Sequence, residues 1–229
     1  MKFYSIFSIV LLAGAIHFNL SASEPAGDPP FSGIIYYEIT YPGANFDQQM
    51  MAMLPSSMKM SCKGHRSRTD LATGMGNNIT IFDSEKMEGV TLMDMMGQKF
   101  AIEMTKAQID EEMSKLEDIE VNETGETRDI AGYACKKAVI TYKQDGKAGK
   151  QEVWYTTELG EGPGYGNNLL FNQIKGIMME FAINDSGMTM KMTATRVEKK
   201  KVPEKTFDRP DGYKTVTQQE LQNMFGGGY

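Results

Sequence analysis

Residues 188–195 read Met-Thr-Met-Lys-Met-Thr-Ala-Thr, a strict two-residue alternation. Successive side chains of a β-strand point to opposite faces. Met188, Met190, Met192 and Ala194 therefore share one face, and Thr189, Lys191, Thr193 and Thr195 the other. A helix would scatter both sets around its axis. One apolar face and one polar face is what an antiparallel sheet covered on a single side requires. Residues 58–63 repeat the pattern, with Met58, Met60 and Cys62 opposed to Lys59, Ser61 and Lys63.

The rest of the chain extends this reading. Residues 34–41 are rich in β-branched and aromatic side chains and stop at Pro42-Gly43. Residues 47–54 are expected to form a short helix ended by Pro55, with Met50, Met53 and Leu54 on its apolar face. Strands are expected at 57–62, 65–71, 79–83, 89–95 and 99–103, with turns at Lys63-Gly64 and Gly97-Gln98. Thr105 and Gln108 are spaced as a capping box for a helix from 106 to about 116. Further strands are expected at 118–122, 128–142 and 151–158, with Asp145-Gly146 in a hairpin loop. After the glycine-rich stretch 160–166 come a brief apolar helix at 168–174 and paired strands at 176–183 and 187–199. A short element at 205–215 and a helix at 218–225, capped by Thr217 and Glu220, end the chain. About ten strands in sequence with only short helices predict a mainly β, predominantly antiparallel sheet.

Composition bears on address and partners. Lys2, the apolar run 6–15 and the small residues Ser21-Ala22-Ser23 predict a signal peptide over residues 1–23 and an exported, periplasmic product. Residues 24–32 read as a flexible leader, 33–215 as the β domain, and 216–229 as a C-terminal helix with a glycine tail. The net charge of −6 argues against nucleic acid, whose binding needs basic patches. Cys62 and Cys135 are the only cysteines. A disulfide between them would close a long loop, worth about 4 kcal/mol by chain entropy. The alternative is two separately buried thiols.

Residues 128–138, Arg-Asp-Ile-Ala-Gly-Tyr-Ala-Cys-Lys-Lys-Ala, with Glu152-Val153-Trp154-Tyr155-Thr156, carry an IAGYxCKKA…VWYT signature. It resembles that of a family of uncharacterised bacterial periplasmic domains of unknown function. Phe207-Asp208-Arg209-Pro210-Asp211-Gly212-Tyr213 is similar to that family's closing segment. The strand order and the early short helix are similar to the wider superfamily of the lipoprotein carrier LolA. That resemblance implies an unclosed, curved β-barrel whose concave side is covered by helices and holds acyl chains. The acceptor arginine and proline of the LolA type have no counterpart assignable here, so the resemblance extends to the fold alone.

The chemistry-bearing residues are sparse. Glu38, Asp83, Asp94 and Glu103 are scattered over strands, and no nucleophile elbow, zinc helix, phosphate loop or dinucleotide fingerprint occurs. No enzymatic activity, cofactor or metal is expected on those grounds. Nineteen methionines, gathered in groups, are the chain's main resource. Methionine is unbranched and polarizable, so a wall built from it adapts to differently shaped apolar partners. The expected function is binding of a lipid acyl chain or other apolar small molecule in a concave pocket. Met50, Met53, Leu54, Met93, Met95, Met188, Met190 and Met192 are its expected lining. The membrane periphery or an outer-membrane protein is the expected further partner. Two alternatives stand beside it: a soft-metal site for Cu(I) built from thioethers, and a filled core serving as an interaction module. Trp154 is expected to anchor the sheet core.

Overall fold

The computed structural model describes residues 30–225 apart from Met75, Met96, Asn167, Ser186 and Gly187. The expected signal peptide, most of the leader and the glycine tail lie outside the described residues. Twelve strands form one sheet: β1 (Ser32–Thr40), β2 (Ser57–Lys63), β3 (Arg66–Thr73), β4 (Gly76–Asp83), β5 (Glu88–Met95), β6 (Gln98–Met104), β7 (Leu116–Ile130), β8 (Tyr133–Gln144), β9 (Lys147–Thr156), β10 (Ile177–Asp185), β11 (Met188–Lys199) and β12 (Lys214–Thr215). Among the described residues three α-helices accompany them: α1 (Gln48–Met53), α2 (Lys106–Ser114) and α3 (Gln218–Phe225). The strand order is β12-β6-β5-β4-β3-β2-β1-β11-β10-β9-β8-β7. Every pairing is antiparallel except the short parallel β12–β6 contact.

The sheet is open and curved. Cys62 on β2 and Cys135 on β8 are five strands apart in the order, about 24 Å in a flat sheet. Both nevertheless belong to one buried cluster with Ile35, Tyr37, Met60, Ala138, Val153, Phe181 and Met192. That cluster runs without a break along one face of the sheet from β2 to β8. The segment between β9 and β10 fills the hollow with Leu159, Tyr165, Leu170, Phe171 and Ile174. Tyr37, Phe181, Phe171 and Tyr165 form an edge-on chain of rings, with centroids 5.8, 5.0 and 5.9 Å apart. The Tyr37 hydroxyl donates to the Met178 carbonyl at 2.8 Å, and the Met178 N–H donates to the Tyr165 hydroxyl at 2.9 Å. Both phenols thus have partners in the core.

A second, smaller core lies on the other face of the sheet. Ile81, Leu92 and Ala101 pack there under Val202 and Phe207 of the C-terminal segment. Arg66 stacks on the Phe207 ring at 5.0 Å. Residues 201–216 therefore strap the outside of β3–β6, while the β9–β10 segment seals the inside of β1, β2 and β8–β11.

Several boundaries differ from the sequence expectation. Phe31, placed in the leader, is 4% exposed and belongs to the main core, so the domain begins before residue 33. The expected strand 128–142 is broken by a turn at Ala131-Gly132, whose φ angles are +51° and +82°. Before that turn, the expected strand 118–122 is part of a longer one. That is the fifteen-residue edge strand β7, bulged between Glu117 and Glu120 and between Glu123 and Thr127. Its charged sequence hides the strand's full length because an exposed edge needs no apolar alternation. The apolar helix at 168–174 is a 3-10 turn, Leu169–Gln173.

Short helices are expected over the concave side, and they contribute little of its cover. The β9–β10 segment does most of that work, and α2 buries only Ile109. α1 buries no residue at all. It is held by backbone contacts instead, with the Asp47 side chain capping Met50 N–H at 2.7 Å and Gly74 N–H donating to the Met53 carbonyl at 3.1 Å. Trp154 is half-buried, with Arg128 over its ring at 4.1 Å and Lys137 at 5.9 Å, rather than sealed in the core.

Candidate functional site

The register of β2–β6 arranges the inner face of those strands in three rows. One runs Met58, Leu71, Asn78, Met93, Phe100; the next Met60, Thr69, Thr80, Thr91, Ile102; the third Cys62, Ser67, Phe82, Gly89, Met104. No charged residue occurs in any of them. The outer face of the same strands carries Lys59, Asp70, Arg68, Glu103, Lys63, Arg66, Asp83 and Glu88 in the intervening rows. The two faces are thus sorted by charge across five strands.

The inner wall is sealed at one side and open at the other. Met58, Met60 and Cys62 are buried in the main core. Thr69, Leu71, Asn78, Thr80, Thr91, Met93, Ile102 and Met104 are only half-buried. Thr80 and Thr91 share a hydroxyl hydrogen bond of 3.3 Å across the middle of the wall. Near its upper end the wall is closed by the β9–β10 segment, which approaches Phe82 closely enough to require glycine. A Cβ on Gly166 would sit 2.6 Å from the Phe82 ring.

Leu169 borders three cavities, two of which also touch Glu112 of α2. The larger, about 630 Å³, is bounded by Ile102 and Met104 of the wall, by Ile109 and Glu112 of α2, and by Val216 and Glu220 near the start of α3. The smaller, about 410 Å³, is bounded by Glu112, Leu116, Tyr142, Gln151, Leu170 and Ile183. Drug-sized ligand sites span volumes of this order.

The expected site residues are dispersed over these surfaces. Met93 lies in the open wall, and Met95 follows it on the same face, opposite Gly76. Met50 and Met53 stand 49% and 46% exposed on α1, with Leu54 half-buried beyond them. Because Gly74 N–H binds the Met53 carbonyl, α1 sits at the β3–β4 tip, the same end of the sheet as Met95. Met192 is 2% exposed and part of the core. Met190 pairs with Ile183, which lines the smaller cavity, and Met188 pairs with Asp185. The eight residues therefore do not form one continuous lining. Leu71, Thr69, Thr80, Thr91, Ile102, Ile109 and Leu169 were not singled out by sequence. The signal was the missing charge at alternate positions, as in Ser67, Thr69 and Leu71 between Arg66, Arg68 and Asp70.

Cys62 and Cys135 are both buried and unbonded. Burial pushes the Cys62 thiol far above its ordinary range and raises that of Cys135 to about 11. Neither supplies a thiolate near neutral pH. Among the described residues no group of three or more His, Cys, Asp and Glu converges on a point where a metal ion could be held. No described helix is long and apolar enough to cross a membrane.

A curved, open, mainly antiparallel sheet with one charge-free inner wall defines the class of this molecule. The chain belongs to the family described as Domain of unknown function (DUF4412), whose model matches residues 31–169. That match spans β1 to β9 and the glycine-rich segment after it, so the whole inner wall lies inside it. No curated protein matches the chain.

Proposed function

We propose that this protein is an exported binding protein that holds a lipid or other apolar ligand against the inner wall of β2–β6, without altering it chemically. One observation carries the reading: three adjacent rows on five strands lack charge, although many of their positions are half-exposed. Half-exposed positions on a sheet ordinarily take charged side chains freely, as Lys63, Arg66, Arg68, Asp70 and Asp83 on the outer face of these strands show. Excluding charge from a surface that water can reach serves an apolar occupant. Met93 and Met95 give that wall an adaptable lower end, and the exposed Met50 and Met53 stand beside it at its mouth. Thr69, Thr80 and Thr91 add hydroxyls that can meet an ester or hydroxyl of the ligand. Export rests on the N-terminal apolar run and its small-residue end. The resemblance to LolA-type carriers in fold is consistent with this role.

A soft-metal role has one observation in its favour. Met50, Met51 and Met53 are exposed together on a single short helix, at 49, 46 and 46%. Native mass spectrometry of the protein purified from its own host separates the two readings. The expected spectrum carries an excess mass of lipid size that denaturation releases. A clean unliganded mass, with no acyl probe displaced at micromolar concentration, contradicts the carrier role. A copper adduct that Met→Leu changes at 50, 51 and 53 remove would favour the metal.

A further inference from the structure

Outside the expected signal peptide the chain holds three Asn-x-Ser/Thr triplets, at Asn78, Asn122 and Asn184. In an exported protein such a triplet accepts an N-linked glycan where an enzyme can reach it. The fold separates the three. Asn78 is half-buried on β4, between Leu71 and Met93 of the neighbouring strands. Asn184 on β10 is held by the Thr189 hydroxyl at 2.7 Å. Asn122 is exposed on β7, the last strand of the sheet, and among the described residues its side chain has no hydrogen bond. Glu120 stands two positions before it, exposed and without an ion pair. An acid at that position is what a bacterial oligosaccharyltransferase pairs with an arginine of its own. Asn78 and Asn184 have Gly76 and Ala182 there.

The strand is loosened where the Asn122 triplet ends. The ladder to β8 shifts between Glu123 and Thr127, and Gly125 inside that bulge has φ +80°. The Thr124 hydroxyl donates to the Lys137 carbonyl at a long 3.4 Å and accepts from the Glu126 N–H at 3.2 Å. A bulge on an edge strand lets the segment lift from the sheet with few bonds lost. Asn122 pairs with Val139, and Val139 with Glu152, on the face opposite the core residues Ala138, Ile140 and Val153. A glycan there leaves the inner wall clear and covers an unpaired edge.

We propose that Asn122 is the acceptor of an N-linked glycan and that Glu120 is the residue by which the transferring enzyme recognises it. The Asn122 Nδ2 attacks the anomeric carbon of an oligosaccharide carried on polyprenyl pyrophosphate. The bond from that carbon to the pyrophosphate oxygen breaks, the pyrophosphate leaves with the electron pair, and the nitrogen gives one proton to a base of the enzyme. The proposal rests on export and not on the apolar ligand.

Trypsin cuts after Lys115 and Arg128, which frees residues 116–128 with Asn122 as their only asparagine. Mass spectrometry of periplasmic protein from its own host is expected to find this peptide carrying a saccharide mass. Asn122→Gln should abolish that mass, and Glu120→Gln should lower its occupancy at least about five-fold by removing the charge the enzyme pairs with. Asn78→Gln and Asn184→Gln should leave it unchanged, with near-ultraviolet circular dichroism checking that each variant is folded. A bare peptide in periplasmic protein, a saccharide that survives Asn122→Gln, or an occupancy unmoved by Glu120→Gln overturns the proposal while export and the apolar wall stand. Protein retained in the cytoplasm with residues 1–23 uncleaved would instead contradict export, and the glycan would fall with it.

Discussion

Glu180 on β10 sits with its side chain 11% exposed between Arg128 at 2.6 Å and Lys191 at 3.0 Å, and Thr193 donates a hydroxyl at 3.1 Å. Burial alone would raise this carboxyl's pKa, but the two cations and their hydrogen bonds outweigh it and hold the group below the ordinary glutamate range. A depressed folded value means the stabilisation is present above the unfolded pKa, near 4.3, and is lost as pH falls through the folded one. Glu180→Gln should lower stability at pH 7 by about 1–2 kcal/mol, because both cations are more than a third exposed and can turn to water. Urea unfolding should show that deficit shrinking below about pH 4. A deficit independent of pH would contradict the assignment. None of this network was legible in the sequence. Arg128 and Glu180 meet through strand pairings that no local pattern encodes, whereas the alternation of Met188, Met190 and Met192 is local and was read directly.

At the scale of elements, what was legible followed the strength of local signals. The β8–β9 turn uses Asp145-Gly146 at φ +51° and +73°, a dipeptide suited to two left-handed positions. The β7–β8 turn has nearly the same angles but presents alanine first, a residue that left-handed backbone disfavours by about 1–2 kcal/mol. Sequence reasoning therefore ran a strand straight through it. Gly132 carries that turn, and a methyl group there would meet nothing within 4 Å. Gly132→Ala should thus cost about 1–2 kcal/mol through backbone strain alone. Thermal unfolding showing no loss would mean that the turn tolerates a different backbone. The same contrast explains α1. Its spacing suggested an apolar face turned inward, yet six residues held by a cap and one backbone bond need no buried face. β7 is legible only in pieces, at 118–122 and from 128, for the opposite reason. Its acidic residues Glu117, Asp118, Glu120, Glu123, Glu126 and Asp129 suit an unpaired edge that must not join another sheet.

Across the whole molecule, the two faces of one curved sheet are put to different uses. The inside of β1, β2 and β8–β11 is a filled core, closed by the β9–β10 segment. The outside of β3–β6 is strapped by residues 201–216. Between these covered regions the inner wall of β3–β6 stays half-open and uncharged, and the function proposed here depends on it. The fold class and the one-sided strands were readable from alternation. The wall itself was not, because its threonines and asparagine look unremarkable until register sets them side by side. Thr91 lies near the centre of that wall, paired with Thr80 and Ile102. Titration of 1-N-phenylnaphthylamine into the wild-type protein and the Thr91→Lys variant tests the claim most directly. Saturable micromolar binding by the wild type, weakened at least about ten-fold by a lysine that leaves the fold intact, is the predicted result. Equal binding by both proteins, or none that saturates in the wild type, would contradict it.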